Sequence, residues 1–158
     1  MIRIANGQGF WGDSIDAPVN LIEYGNIDYL TLDYLAEVTL SIMQRQKLKN
    51  PKAGYARDFI PFIEKVLPVL IEKNIKIITN AGGINSFSCR EALLAVAKSM
   101  DINIKIAVIT GDDILDDVNQ LANSGELFSN LDTNDNFSDI KDSLYSANVY
   151  IDSFSIAD

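Results

Sequence analysis

Residues 59–85, FIPFIEKVLPVLIEKNIKIITNAGGIN, set a helix, a strand and a glycine turn end to end. Phe59, Phe62, Ile63, Val66, Leu67, Leu70 and Ile71 recur at helical spacing, so 59–73 reads as an amphipathic helix. Pro61 suits its first turn. Pro68 lies deeper, where its missing N–H and its ring are expected to kink the helix. The short β-rich run 75–79 reads as a strand. In Asn80-Ala-Gly-Gly-Ile-Asn85, two adjacent glycines then join a strand end to a helix start. Backbone N–H groups in such a place form an anion nest. The plainer alternative is a turn that needs positive φ.

The same alternation runs through the chain. Strands are expected at 3–5, 29–32, 104–109 and 147–154. Helices are expected at 15–24, 35–48, 88–98 (opened by the capping box Ser88-x-x-Glu91) and 114–122, capped by Asp112 or Asp113. This βα order implies an α/β fold: an open parallel sheet of four or five strands with helices on both faces, Rossmann-like. One domain is expected over 1–158, with the Asp/Asn/Ser-rich stretch 129–143 as an exposed loop. Within it, Asp132-x-Asn134-x-Asn136 imitates a calcium loop, but Phe137 and Ser143 stand where glycine and glutamate belong.

Chain direction places further residues. Only Asn74 separates helix 59–73 from the next strand, so that helix ends at the amino ends of the strands and begins at their carboxyl ends. Helix 35–48 is expected to descend beside the sheet. The link 49–58, reaching about 33 Å when extended, is expected to climb back. It delivers 54–58 to the carboxyl edge, where open α/β sheets bind ligands.

That edge is expected to collect Gly7, Gly9, Gly12, Asp13, Asp33, Tyr34, Glu37, Tyr55, Arg57, Asp58, Asn80, Gly82, Gly83, Asn85, Gly111, Asp112 and Asp113. The carboxylates Asp13, Asp33, Glu37 and Asp112 are the candidate acid–base groups, or ligands of a hard divalent cation such as Mg²⁺. Helix capping alone also accounts for Asp13, Asp33 and Asp112, and dipole-friendly surface placement for Glu37. The glycines, Tyr55, Asn80, Asn85 and Arg57 are candidate ligand contacts. Arg57 is the one basic residue placed there: a clamp for carboxylate or phosphate, or a surface ion pair. Gly7-x-Gly9-x-x-Gly12 has dinucleotide-fingerprint spacing. Bulky Phe10-Trp11 and acidic Asp13 oppose a pyrophosphate, so NAD is not expected. Cys89 sits in a first helical turn, which lowers a thiol pKa. Without a histidine partner, packing is the simpler role.

Composition narrows the classes. The chain has 158 residues, a net charge of −9, one cysteine and no histidine. The acidity argues against a nucleic-acid partner and an anionic membrane surface, but not against a small phosphorylated ligand held by backbone N–H groups. The absent histidine removes the usual general base and the commonest zinc ligand, and no dedicated metal set is read. One cysteine permits no internal disulfide and fits a reducing cytoplasm. The N-terminus reads as a strand, and no apolar run approaches the ~20 residues of a membrane span.

GFWGDS at 9–14, DYLTLDYLAEVT at 28–39, GYARDF at 54–59, VLP at 66–68, NAGGIN at 80–85, GDD at 111–113 and ANVY at 147–150 stand in an order that resembles the acyclic terpene utilisation family. The resemblance covers nearly the whole chain. It implies a parallel α/β fold and acyl-CoA-type catabolism of branched acids, with a small organic acid or acyl-CoA as ligand. It assigns no reaction. Gly9, Gly12, Asp13, Asp33, Glu37, Tyr55, Asn80, Gly82, Gly83, Gly111 and Asp112 fall on its motif positions. Its members are longer, so this chain is expected to be an N-terminal portion, completed by a second subunit or as a homo-oligomer. The leading expectation is an enzyme domain. The alternatives are a non-catalytic subunit acting through association, and a dinucleotide-binding domain.

Overall fold

A computed structural model describes residues 1–125 and 128–157, apart from the side chains of 119, 155 and 157. The chain divides into two compact units, Met1–Val108 and Ile109–Asp158.

In the first unit the order is β1 (Ile4–Gln8), α1 (Asp16–Tyr24), β2 (Tyr29–Leu32), α2 (Glu37–Lys49), α3 (Phe59–Glu72), β3 (Lys76–Thr79) and α4 (Ser86–Ser99). The strands form a parallel sheet in the order β1-β2-β3, with Ala5 opposite Leu30 and Leu30 opposite Ile77. The α/β class holds, but the described residues contain three paired strands rather than four or five. Residues 104–109 alternate between half-buried and exposed as a strand would, yet join no ladder. Ile104 and Ile106 pack against the core instead. The period of two reported burial of one side, which does not require hydrogen bonding.

The expectation of helices on both faces is corrected too. Strand residues alternate between faces. Leu30 and Leu32 are buried beneath a cluster that includes Ile22 of α1, Val66 and Leu70 of α3, and Cys89 and Leu93 of α4. The alternate residues Ile4 (68 % exposed), Asn6, Lys76 and Ile78 (59 %) stay exposed.

α3 is the main packing element. It buries Phe59, Phe62, Ile63, Val66, Leu67 and Leu70, at about 1.5–3 kcal/mol per large apolar side chain. It continues through Pro68. Its end meets the end of α1, where Lys73 Nζ donates to the carbonyl oxygens of Ile22 and Glu23. A tight turn with Asn74 at φ 53° then starts β3. α3 therefore runs from the carboxyl ends of the strands to their amino ends, as the Asn74 link requires.

α2 departs from the expected path. Its middle and last turns lie against the turn that follows β3: a β-carbon on Gly83 would sit 2.3 Å from Met43 Sδ, and one on Gly54 would sit 3.0 Å from Lys47 Cβ. Lys47 Nζ donates to Ile84 O at 3.0 Å. α2 thus stays at the carboxyl end of the sheet, and the 50–58 link has no climb to make. The crossover between β2 and β3 is α3. α4 begins at Ser86, after Asn85, rather than at the predicted Ser88 box.

The second unit holds α5 (Val118–Asn123), 3-10 turns at Phe137–Asp139 and Lys141–Ser143, and α6 (Ser153–Ala157). The predicted helix 114–122 is shortened to α5. The predicted strand 147–154 reduces to one bridge, Asn148 to Asp113, before α6. Residues 129–143 are exposed apart from Phe137, with a bridge from Ser129 to Asn136.

Candidate functional site at the carboxyl edge of the sheet

Four segments of the first unit meet beyond the carboxyl ends of the strands: 9–14, 33–37, 54–58 and 80–85. Direct bonds hold them together. Ala56 N donates to Ala81 O at 2.9 Å, and Ile84 N to Gly54 O at 3.1 Å. Asn85 Nδ2 donates to the carbonyls of Pro51 (2.8 Å) and Ala53 (2.6 Å). Trp11 Nε1 donates to Asp58 Oδ1 at 2.7 Å, tying the first glycine loop to the 54–58 segment. Asn80 clamps the turn after β2: its Nδ2 donates to Asp33 Oδ1, and its Oδ1 accepts from Tyr34 N, each at 2.7 Å.

Beneath this edge lies a buried polar pair. Gln8 is 3 % and Tyr34 1 % exposed, close enough to bear on one another. Gln8 Nε2 also donates to Phe10 O at 3.0 Å. Burial, then the charge of nearby Asp58, pushes the Tyr34 phenol well above the usual tyrosine range. Tyr34 is therefore a neutral, fixed strut with Phe59 edge-on against its ring. Cys89 is packed as expected; burial pushes its thiol up to about 11, the reverse of an activated nucleophile.

The predicted residues divide by what they touch. Gly7 lies inside β1 rather than in the loop, and a β-carbon there would sit 2.8 Å from Pro18 Cβ, so it lets α1 close on the strand. The Gly9 amide donates to Asp13 Oδ2 at 3.3 Å, and Asp13 Oδ1 accepts from Ser14 N at 2.8 Å. Asp13 thus takes up the Gly9 amide, a donor of the first glycine loop. Gly12 turns the loop at φ 101°. Asp33 Oδ1 also receives Leu35 N at 3.2 Å. Glu37 is exposed on the first turn of α2, and Tyr55 is half-buried.

In the NAGGIN turn, Ala81 N donates to Thr79 Oγ1, Gly83 N to Asn80 O, Ile84 N to Gly54 O and Asn85 N to Gly82 O. Four of its amides are thus engaged within the protein, and its glycines serve close packing. Gly111 and Asp112 belong to the second unit, where Asp112 Oδ2 accepts from Asn148 Nδ2 at 3.1 Å. No group of three or more carboxylate or cysteine ligands able to hold a metal occurs among the described residues. A cavity of about 330 Å³ lies near the end of α4, lined by residues such as Ala97, Asp101 and Ile104. It has none of the polar convergence of the carboxyl edge.

Arg57 is exposed between Ala56, bonded to Ala81, and Asp58, bonded to Trp11. It is not alone. The path of α2 brings Lys47, Lys49 and Lys52 to the same edge, residues that the expected descent of α2 had sent elsewhere. Their signal was present in the sequence: residues 38–57 hold five Lys or Arg and no carboxylate. Charge is also segregated by unit. The first carries 12 Lys or Arg against 11 Asp or Glu, a net +1; the second carries one Lys against 11 Asp or Glu, a net −10. The chain-wide acidity therefore says little about what the first unit attracts.

Comparison with protein families matches residues 2–158 to the family described as acyclic terpene utilisation family protein AtuA. The chain belongs to this family. Comparisons with curated proteins and with solved structures returned no match. In this AtuA family member, the motif stretches bond to one another. GFWGDS, GYARDF and NAGGIN join at the edge of the first unit. GDD and ANVY join in the second, through Val149 N to Asp112 O (2.8 Å) and Ile114 N to Ala147 O (2.9 Å). No helix among the described residues is long and apolar enough to cross a membrane.

Proposed function

We propose that the first unit is part of an enzyme of branched or acyclic terpenoid acid catabolism. It binds a small organic acid, as the carboxylate or its acyl-CoA, over the carboxyl edge of the sheet. One observation carries this reading: segments distant in sequence, 9–14, 33–37, 54–58 and 80–85, are cross-bonded there by groups such as Trp11, Asp58, Asn80 and Asp33. A parallel sheet directs its ligands to that end, and the family's description, acyclic terpene utilisation, is in keeping with a terpenoid acid. Arg57 meets the anionic group. Asp33 and Glu37, at the exposed start of α2, are the carboxylates placed to exchange a proton with the ligand. The test is titration of isotopically labelled protein with a branched-chain acyl-CoA. Amide shifts concentrated in 9–14, 33–37, 54–58 and 80–85 are expected; shifts confined to the end of α4 or to the second unit would refute the placement.

A further inference from the structure

We infer that the carboxyl edge takes its ligand through an oligophosphate group, held by Lys49, Lys52 and Arg57. The inference rests on the proposed site and narrows its ligand to a phosphate-bearing carrier rather than a free acid.

Three observations support it. The run 38–57 contains five cations and no carboxylate, in a chain with 22 acidic residues. The protein bonds this run along the candidate edge: Lys47 to Ile84 O, Pro51 and Ala53 to Asn85, Gly54 to Ile84, Ala56 to Ala81. Lys47 is committed to that framework. Lys49, Lys52 and Arg57 are exposed, and their side chains make no hydrogen bond or ion pair among the described residues. A favourable place at the carboxyl end of the α2 dipole accounts for Lys49, but not for Lys52 or Arg57, which lie beyond the helix.

The chemistry fits phosphate better than a single carboxylate. One guanidinium suffices for a carboxylate, whereas spaced ammonium groups suit charges spread over several phosphates. The backbone offers little competition, since Ala81, Gly83, Ile84 and Asn85 donate elsewhere. The side chains must therefore supply the positive charge. Three cations are too few for the long stripe that a nucleic-acid backbone requires.

The experiment is calorimetric titration of the full chain with four probes: CoA, ATP, inorganic pyrophosphate, and a phosphate-free pantetheine thioester of a branched acid. CoA is expected to bind saturably and more weakly as NaCl is added. The combined variant Lys49→Gln, Lys52→Gln, Arg57→Gln is expected to lose about tenfold in CoA affinity and most of the salt dependence, while its affinity for the pantetheine thioester is unchanged. Circular dichroism checks its fold, and Lys52→Gln alone should give a smaller loss in the same direction. Binding of ATP and pyrophosphate with the same loss in the variant supports the oligophosphate site and makes its source generic; binding of CoA alone supports it and assigns the source to the coenzyme. If the pantetheine thioester binds as tightly as CoA and the variant is silent, the inference falls while the proposed site stands. If no probe binds, the inference falls; if the free branched acid also fails to bind, the proposed site falls with it. A short DNA duplex that displaces CoA would overturn the assigned ligand class.

Discussion

Gly83 has no room for a side chain. A β-carbon would meet Met43 Sδ at 2.3 Å and Gly54 O at 2.8 Å, on a backbone at φ 53°. Gly83→Ala is expected to cost about 2–4 kcal/mol, from overpacking together with a strained φ. Gly9→Ala meets nothing within 4 Å and is expected to stay within about 0.5 kcal/mol of the parent. Urea midpoints of the two variants check this; equal midpoints would mean that the 80–85 turn is not packed as described. The buried phenol gives a second test. The folded Tyr34 pKa lies above its unfolded value, so the neutral form favours folding, and that contribution is lost as pH rises past the ordinary tyrosine range. One of the six tyrosines should resist ionisation in ultraviolet titration until the chain unfolds in alkali, and Tyr34→Phe should remove that late step. Asp28 works in the opposite sense. Its hydrogen bonds from Arg3 hold the carboxyl down at about 2, so its contribution is present above the unfolded value and fades as pH falls toward 2. Asp28→Asn should flatten that acid limb of stability. The meeting of 9–14, 33–37, 54–58 and 80–85 at one edge was legible in the sequence, whereas Gly7 proved to lie in β1 and Gly111 and Asp112 in the second unit. Tyr34 and Asp58 were placed at that edge by chain direction; the Trp11–Asp58 bond and the burial of Gln8 beside Tyr34 were not legible, because they join residues far apart in sequence and form no local pattern.

α3 shows how the helical period reports packing: the apolar positions read from the sequence are largely the ones it buries. Pro68 sits on its exposed side, where it removes a helix hydrogen bond without disturbing the core. Proline in a helix interior is about 3 kcal/mol less favourable than alanine, offset by about 1 kcal/mol of unfolded-chain restriction. Pro68→Ala is therefore expected to stabilise by about 1–2 kcal/mol in urea unfolding; a lower midpoint would show that the proline fits a bend the core needs. α2 was legible as a helix but not in its placement. The chain-direction argument fixed α3, because a one-residue link leaves no freedom. The longer link 50–58 leaves α2 free to stay at the carboxyl end, and the close approach of Met43 to Gly83 holds it there. Strands were the least legible elements, since the alternation at 104–109 is satisfied by packing Ile104 and Ile106 without a ladder.

Across the whole molecule, two features follow from the layering. An all-parallel sheet ordinarily has both faces covered, yet Ile4 and Ile78 are exposed here. Self-association through this face is expected, and Ile78→Lys should lower the mass seen by light scattering without lowering the melting temperature. A parent protein already monomeric at high concentration would contradict this. The second feature is the concentration of negative charge in the second unit, which leaves a near-neutral first unit with a basic rim beside its candidate site. The sole tryptophan of the chain, Trp11, is bonded to Asp58 at that site, so its emission senses a ligand bound there. Titration with a branched-chain acyl-CoA, followed through Trp11 emission and in parallel by calorimetry, is predicted to give a saturable change with one shared Kd. Calorimetric binding with unchanged Trp11 emission, or no binding by either method, would contradict a ligand site at the carboxyl edge.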